Sequence, residues 1–75
     1  MTHDQLRKAL SELNGGRACT VAMVGTGEVT IQNAMLVPDE PDHLVKLTDG
    51  RSIYILDAER IAWVRIGLSE GIQNA

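Results

Sequence analysis

The sequence has a single cysteine, Cys19, among its 75 residues, and only two histidines, His3 and His43. One thiol cannot close an intramolecular disulfide, and two scattered histidines do not complete a zinc site with it. No apolar run approaches the roughly 18–20 residues of a membrane-spanning helix, and the polar start of the chain differs from a signal peptide. We therefore exclude disulfide-stapled and zinc-stabilised folds, and expect a soluble cytoplasmic protein with no membrane partner.

The chain also lacks a large excess of one charge sign. Ten acidic residues and seven basic residues give a net charge of only −3. The longest basic block is the pair Arg7-Lys8, so electrostatics alone does not indicate a nucleic-acid-binding protein. The chain has room for one domain only, and a domain of this size buries only ~60% of its unfolded surface. Either an unusually good core or burial against other copies must compensate.

Hydrophobic periodicity predicts one helix followed by five strands. Leu6, Leu10 and Leu13 repeat at helical spacing, and Thr2 with Gln5 forms a capping-box pattern, which together predict a helix over residues 3–14. The apolar period then changes to that of a strand, and β-branched residues become frequent. Strands are predicted at residues 18–24, 29–37, 43–48, 51–56 and 61–66, inside a single domain of residues 1–66.

The second strand changes its apolar face midway. Val29 and Ile31 share one parity, whereas Ala34 and Leu36 share the other. A bulge or sharp bend near Gln32-Asn33 would restore one continuous core face. Such a bend would allow one long strand to serve both halves of a small barrel.

The connections and the end of the chain have their own signatures. Asp49-Gly50 favours a type I′ hairpin turn, and residues 57–60 are too short for a helix and too polar for a strand, which predicts one tight turn. Residues 67–75 lack periodicity and are expected to form a flexible tail. The predicted fold class is mainly β with one N-terminal helix, arranged as a small, strongly bent, five-stranded antiparallel barrel.

Four segments together match the pattern of one family. They are the long bent strand EVTIQNAMLV (28–37), the acidic turn into HLVKL (43–47), the Asp49-Gly50 turn and the one-turn link into IAWVRI (61–66). In these segments the chain resembles the Sm-like (Lsm) family, and is nearest in look to its bacterial Hfq branch, although SH3-like barrels share this strand spacing. The resemblance implies an Sm-like barrel that assembles into a homo-oligomeric ring, hexameric or heptameric, and binds RNA.

The resemblance also implies RNA-binding residues at two turns, and the chain departs from the family at one of them. Where the Hfq branch carries a Tyr-Lys-His stretch, this chain has Leu56-Asp57-Ala58-Glu59, whose carboxylates repel phosphate. At the other turn, His43 is either a stacking ring or a solvated strand end. Arg7, Lys8 and Arg17 would repeat around a ring as a positive rim, or they form the solvent face of the helix and its exit.

Trp63 and Tyr54 are the only aromatic rings, and both fall in the last two predicted strands. Alternation places Ile61, Trp63 and Arg65 on the outer face of the fifth strand, with burial of Trp63 in the core as the alternative. Neither strand contains proline, so as exposed edges they are expected to pair head to tail between copies. The predicted oligomer interface consists of Tyr54, Ile55, Ile61, Trp63 and Val64.

Two functions therefore remain open. One is an Sm-like ring protein that binds RNA through a repeated rim or pore surface, and the other is a non-catalytic protein-interaction or structural module that has lost RNA binding. Gly25-Thr26-Gly27 is better explained as a hairpin turn than as a phosphate cradle, and Cys19 as a buried thiol. We predict no catalytic residue, no metal site and no cofactor.

Overall fold

The computed structural model describes residues 1–68, which form one helix and five strands. Neighbouring strands all pair antiparallel, in the order β4-β3-β2-β1-β5, and no described residue of β4 pairs with β5, so the sheet is not closed. The predicted fold class is confirmed: mainly β, with one N-terminal helix and a five-stranded antiparallel sheet. The bounds are α1 His3–Leu10, β1 Asn14–Met23, β2 Gly27–Leu36, β3 Val45–Thr48, β4 Ile53–Leu56 and β5 Ile61–Ile66, with a 3-10 helix Ala58–Arg60.

The start of α1 has the predicted capping box. The Thr2 hydroxyl accepts from the Gln5 N–H at 3.0 Å, and the Gln5 Oε1 accepts from the Thr2 N–H at 3.0 Å. These two bonds satisfy backbone donors that the first helical turn leaves without partners inside the helix. Asp4 lies in the same turn, where a carboxylate suits the positive end of the helix dipole.

The helix ends at Leu10 rather than at residue 14. The hydroxyl of Ser11 donates to the carbonyl of Lys8 at 2.7 Å, a local bond that competes with continued helix. Asn14 is already paired with Met35 of β2. Strand pairing with a distant segment therefore overrides local helix propensity here.

The predicted bulge in β2 is confirmed. Between the pairs Arg17↔Ala34 and Cys19↔Ile31 the register shifts, with one more residue on β2 than on β1. Asn33 adopts φ 53° at this point, a left-handed conformation that Asn tolerates better than most residues. As a result Ile31 and Ala34 are both buried, although their parities differ.

Other strand bounds differ from the prediction because pairing decides them. β1 and β2 begin earlier than predicted, whereas β3 and β4 begin later, at Val45 and Ile53. The loop between β3 and β4 spans four residues, because Thr48 pairs with Ile53. The predicted type I′ turn is wrong, since Asp49 lacks the positive φ that this turn requires; its carboxylate instead accepts from two backbone N–H groups of the loop.

The predicted tight turn and the bounds of β5 are confirmed, but one side-chain direction in β5 is wrong. A register shift falls between the pairs Ala22↔Trp63 and Met23↔Ile61. It turns Ile61 into the core, where 3% of its surface remains exposed. Trp63 still faces outward.

One continuous core lies between α1 and the sheet. Leu6 and Leu10 of α1 join buried side chains from all five strands, among them Val21, Ile31 and Leu47. Gly67 remains attached to β1 through a 2.9 Å bond from its N–H to the carbonyl of Ala18. The rest of the predicted tail, from residue 69 on, lies outside the described residues. All five strands contribute to this core, and the outer edges of β4 and β5 have no strand partner among the described residues.

Candidate functional site

The two outer strands carry three of the four large exposed apolar side chains found in the described strands; the fourth is Met35 of β2. Ile53 and Ile55 of β4 are 62% and 61% exposed, and Trp63 of β5 is 43% exposed. One long edge of each strand has no partner among the described residues. Unprotected apolar edges of this kind are sites where another chain adds to the sheet.

Pairing with β3 explains the exposure on β4. Lys46 stands opposite Ile55 and Leu47 stands opposite Tyr54, so side chains alternate between the outer face and the core. Ile53 and Ile55 therefore point outward, while Leu56 is buried and Tyr54 is half-buried. Our sequence reasoning missed Ile53, although its even spacing from Ile55 was a readable signal.

Of the predicted interface residues, four lie on the free strands with some exposed surface. Tyr54 and Val64 are half-buried, and Ile55 and Trp63 are exposed. Ile61 belongs to the core instead, so it leaves the candidate surface. These four residues thus lie on β4 and β5, at the two opposite edges of the described sheet.

The guanidinium group of Arg65 lies over the ring of Trp63. The guanidinium carbon of Arg65 lies 5.6 Å from the ring centroid, within the range of a cation–π interaction. Arg65 also donates to the hydroxyl oxygen of Thr20 at 3.3 Å, and Thr20 and Thr30 share a 2.9 Å hydroxyl contact. The edge of β5 therefore presents an apolar ring together with a positive charge.

A cavity of about 430 Å³ opens beside the end of β4. Apolar side chains line much of it, and two carboxylates and two imidazoles stand around it; the lining includes His3, His43, Leu44, Ile55, Asp57 and Glu59. A second cavity of about 310 Å³ lies between β4 and the start of β5, and includes Tyr54, Arg60 and Ile61 in its lining. Both cavities adjoin the free edge of β4.

His43, the predicted stacking ring, has a protein partner. Its ring meets that of His3 edge to face, with centroids 6.3 Å apart and planes at 84°. His3 in turn has Nδ1 at 3.3 Å from a carboxylate oxygen of Asp4 and Nε2 at 4.0 Å from one of Asp39. The surroundings of His43 are thus acidic as well as aromatic, which does not favour phosphate.

The three basic candidates do not form one cluster of shared contacts. Arg7 donates to the carbonyl of Val37 at 3.3 Å, next to the connection between β2 and β3. Arg17 donates to the carboxylate of Glu12 at 2.9 Å. Lys8 is exposed in the last turn of α1. Two of the three cations are therefore already engaged by groups of the chain.

Lys46 partly neutralises the acidic segment before β3. The ammonium of Lys46 contacts the carboxylates of both Glu40 and Asp42, the latter at 2.7 Å. The hydrogen bond from Lys46, helped by one from the backbone N–H of Leu44, lowers the pKa of Asp42 below its usual value. The bonds to Asp42 and Glu40 raise the pKa of Lys46. These ion pairs hold the turn before β3 in place, and the turn keeps a net negative charge.

Cys19 fits the role of a buried thiol. It lies in the core, and burial raises its pKa above the usual value, which disfavours the reactive thiolate. Across residues 1–68 no three His, Cys, Asp or Glu side chains are grouped to hold a metal ion. The one helix in this stretch is neither long nor apolar enough to cross a membrane.

The strongest feature of this geometry is thus a pair of apolar sheet edges with a cavity next to one of them. Comparison with known proteins adds no family to this picture: no family model matches the chain, and no match is found among curated proteins or solved structures.

Proposed function

We propose that this protein is a non-catalytic, Sm-like assembly module of the cytoplasm, whose copies join head to tail, β4 of one on β5 of the next, into a homo-oligomeric ring. The observation that carries the proposal is the pair of free, apolar, proline-free outer strands. Adding a strand to each edge would satisfy its main-chain groups and cover Ile55 and Trp63.

Head-to-tail contact accounts for more of the surface than a two-fold dimer does. A dimer through β4 alone would leave Trp63 uncovered in each copy, and a dimer through β5 alone would leave Ile53 and Ile55 uncovered. A heterologous contact uses both edges of every copy, and such contacts close into rings when the rotation between copies allows it. The added burial also supports a chain too short to be very stable alone.

Two edge variants used together test this arrangement. Ile55→Lys damages the edge of β4 and Trp63→Lys damages that of β5, and both positions are exposed, so the monomer should fold normally. Each variant alone should be monomeric. Mixed in equal amounts, they should form a heterodimer through the one intact β5 and the one intact β4, and nothing larger. Native mass spectrometry or sedimentation measures the masses.

The matched control is Val24→Lys, which adds the same charge at an exposed apolar residue in the β1–β2 turn and should assemble like the wild type. If Trp63→Lys stays dimeric while Ile55→Lys is monomeric, the contact is a two-fold β4 dimer and the ring proposal is wrong. A wild type that stays monomeric at tens of micromolar also contradicts it.

RNA binding by the ring is a second candidate function. Its support is the pair Arg7 and Lys8 in the last turn of α1, which a ring would repeat once per copy, and Arg17 nearby in sequence. Replacing Arg7, Lys8 and Arg17 with Ser should abolish binding of short RNAs and reduce its salt dependence. Arg51→Ser, on the exposed β3–β4 loop, is the control. If the wild type binds no RNA at low salt, RNA binding is excluded and the proposal reduces to an assembly module that does not bind RNA.

A further inference from the structure

The cavity beside the end of β4 has a chemical match elsewhere on the same chain. We propose that it is the seat for the Trp63–Arg65 pair of the next copy, so that the site is complete only in the assembly. This inference rests on the proposed head-to-tail contact and identifies the residues that give it specificity.

The outer wall of the cavity continues the outer face of β4. Val45 pairs with Leu56, and extending this antiparallel pairing by one step sets Leu44 opposite Asp57. Leu44 and Ile55 are both exposed, and they share this outer face with Asp57. The wall is therefore apolar and ends in a carboxylate, with Glu59 beyond it.

The edge of β5 has the complementary character. Trp63 offers an exposed indole, and the Arg65 guanidinium lies against that ring. An aromatic ring with an adjoining cation suits an apolar wall that ends in carboxylates, and aromatic anchors seated in pockets dominate many protein interfaces.

Strand register brings these groups together. We consider antiparallel pairing of β4 of one copy with β5 of the next, since neighbouring strands of this sheet all pair antiparallel. Two registers, two residues apart, overlap the strands well and keep outer side chains opposite outer ones. In one, Ile55 stands opposite Trp63, and Arg65 stands opposite Ile53, away from Asp57. In the other, Ile55 stands opposite Arg65, which then lies diagonal to Asp57.

The second register is favoured, because opposite charges on neighbouring strands stabilise a pair and like charges destabilise it. It sets Trp63 opposite Asp57, at the mouth of the cavity. On the inner face it pairs Val64 with Leu56, so apolar side chains also meet there.

Trp63 is the only tryptophan of the chain, so its fluorescence reports the site directly. On assembly of the wild type, its emission should shift to shorter wavelength and its quenching by acrylamide should fall. Monomeric Ile55→Lys should keep the emission of an exposed indole. Trp63→Ala should weaken assembly by about ten-fold or more, as expected for a buried aromatic anchor.

Charge exchange tests the register. Arg65→Glu should weaken assembly by repulsion from Asp57, and the double variant Arg65→Glu with Asp57→Lys should recover it. Arg65→Lys, which keeps the charge, should assemble. Because the Asp57 side chain also accepts from the N–H of Glu59 in the 3-10 helix, circular dichroism checks the fold of the double variant, and Asp57→Asn, which keeps an acceptor there, should weaken assembly without disturbing that helix.

The outcomes separate this inference from the proposed function. If the wild type assembles but Trp63 keeps the emission of a solvent-exposed indole, the edges pair without seating Trp63 in the cavity. In that case this inference is wrong, while the proposed assembly stands. If Trp63→Ala assembles like the wild type, the inference is again wrong. If no oligomer forms, both proposals fail. A shifted emission together with recovery in the charge exchange supports the inference.

Discussion

At the residue scale, Asn33 decides whether the core is continuous. Its φ of 53° allows β2 to carry one extra residue, and that residue brings Ile31 and Ala34 to the same core. Asparagine and alanine both carry a Cβ that disfavours this conformation, but the short polar side chain of asparagine can compensate by local hydrogen bonding, and glycine has no Cβ.

We expect Asn33→Ala to lower the free energy of unfolding by at most about 1–2 kcal/mol, because alanine bears the full cost of a left-handed conformation that asparagine tolerates better. Asn33→Gly should be neutral or nearly so. Urea denaturation at one fixed protein concentration measures both. Gln32→Ala, at the exposed neighbouring position, is the control, and equal stabilities of the alanine and glycine variants at position 33 would show that the bulge does not depend on this conformation.

Asp49 is a second residue with a local structural role. Its Oδ1 accepts from the N–H groups of Arg51 and Ser52, both at 2.8 Å, and these bonds hold the pKa of Asp49 below its usual value. Because the ionised form is the one that the fold stabilises, the contribution is present above the unfolded-state pKa of about 3.9 and is lost as pH falls through the lower folded-state pKa. The pKa of Asp42 is also lowered, mainly by its hydrogen bond from Lys46, so its contribution depends on pH in the same direction.

Acid should therefore destabilise the wild type more than Asp49→Asn, which keeps an acceptor in the loop but has no proton to gain. The measurement is the urea midpoint of each protein at pH 7 and near pH 3, within the window about the unfolded-state pKa of Asp. An equal loss in both proteins would contradict the role assigned to the Asp49 carboxylate.

At alkaline pH, the raised pKa of Lys46 means that the stability contributed by its ion pairs is lost only above about pH 10.4.

At the scale of the elements, α1 is short but well anchored. Eight residues form few internal hydrogen bonds, so the helix depends on its capping box and on packing against the sheet. Leu6 and Leu10 are fully buried, and Leu13 is buried just after the helix ends.

Replacing Leu6 or Leu10 with Ala should cost about 2–5 kcal/mol, the range for a buried leucine that leaves a cavity. Lys8→Ala, on the exposed side of the same helix, should change stability by less than ~0.5 kcal/mol. Thermal or urea unfolding provides the comparison. If both leucine variants lost less than the lysine control, α1 would not be part of the core.

The outer strands are the elements where side-chain direction matters most for function. In β4 the side chains alternate regularly and Ile55 is exposed, because β4 pairs with β3 without interruption. Alternation along β5 failed at Ile61, because the register with β1 shifts at Met23. A bulge of this kind depends on the partner strand and leaves little trace in the strand that it turns.

At the scale of the whole molecule, stability and assembly are coupled. A partner that binds only the folded chain raises its apparent stability by mass action. The thermal midpoint of the wild type should therefore rise with protein concentration over a range of about one hundred-fold, while that of Ile55→Lys should stay constant. Differential scanning fluorimetry over this range, with Val24→Lys as control, measures the effect. A thermal midpoint of the wild type that does not change with protein concentration would indicate a stable monomer and contradict the coupling.

The order of elements, the capping box, the bulge in β2 and the one-turn link before β5 follow from the sequence alone. Each depends on neighbours along the chain: the leucine spacing of α1, Thr2 with Gln5, or the parity change on either side of Gln32-Asn33. Local patterns report such features because the interactions that cause them are themselves local.

The tertiary structure decided the rest, because those features depend on partners far away in the sequence. Pairing of Asn14 with Met35 ended the helix early, and pairing of Thr48 with Ile53 lengthened the β3–β4 loop. Packing also set the ring of His43 against His3 and opened the cavity beside β4. Which edges stay free is a property of the complete sheet, since a strand becomes an edge only when every other pairing has been made.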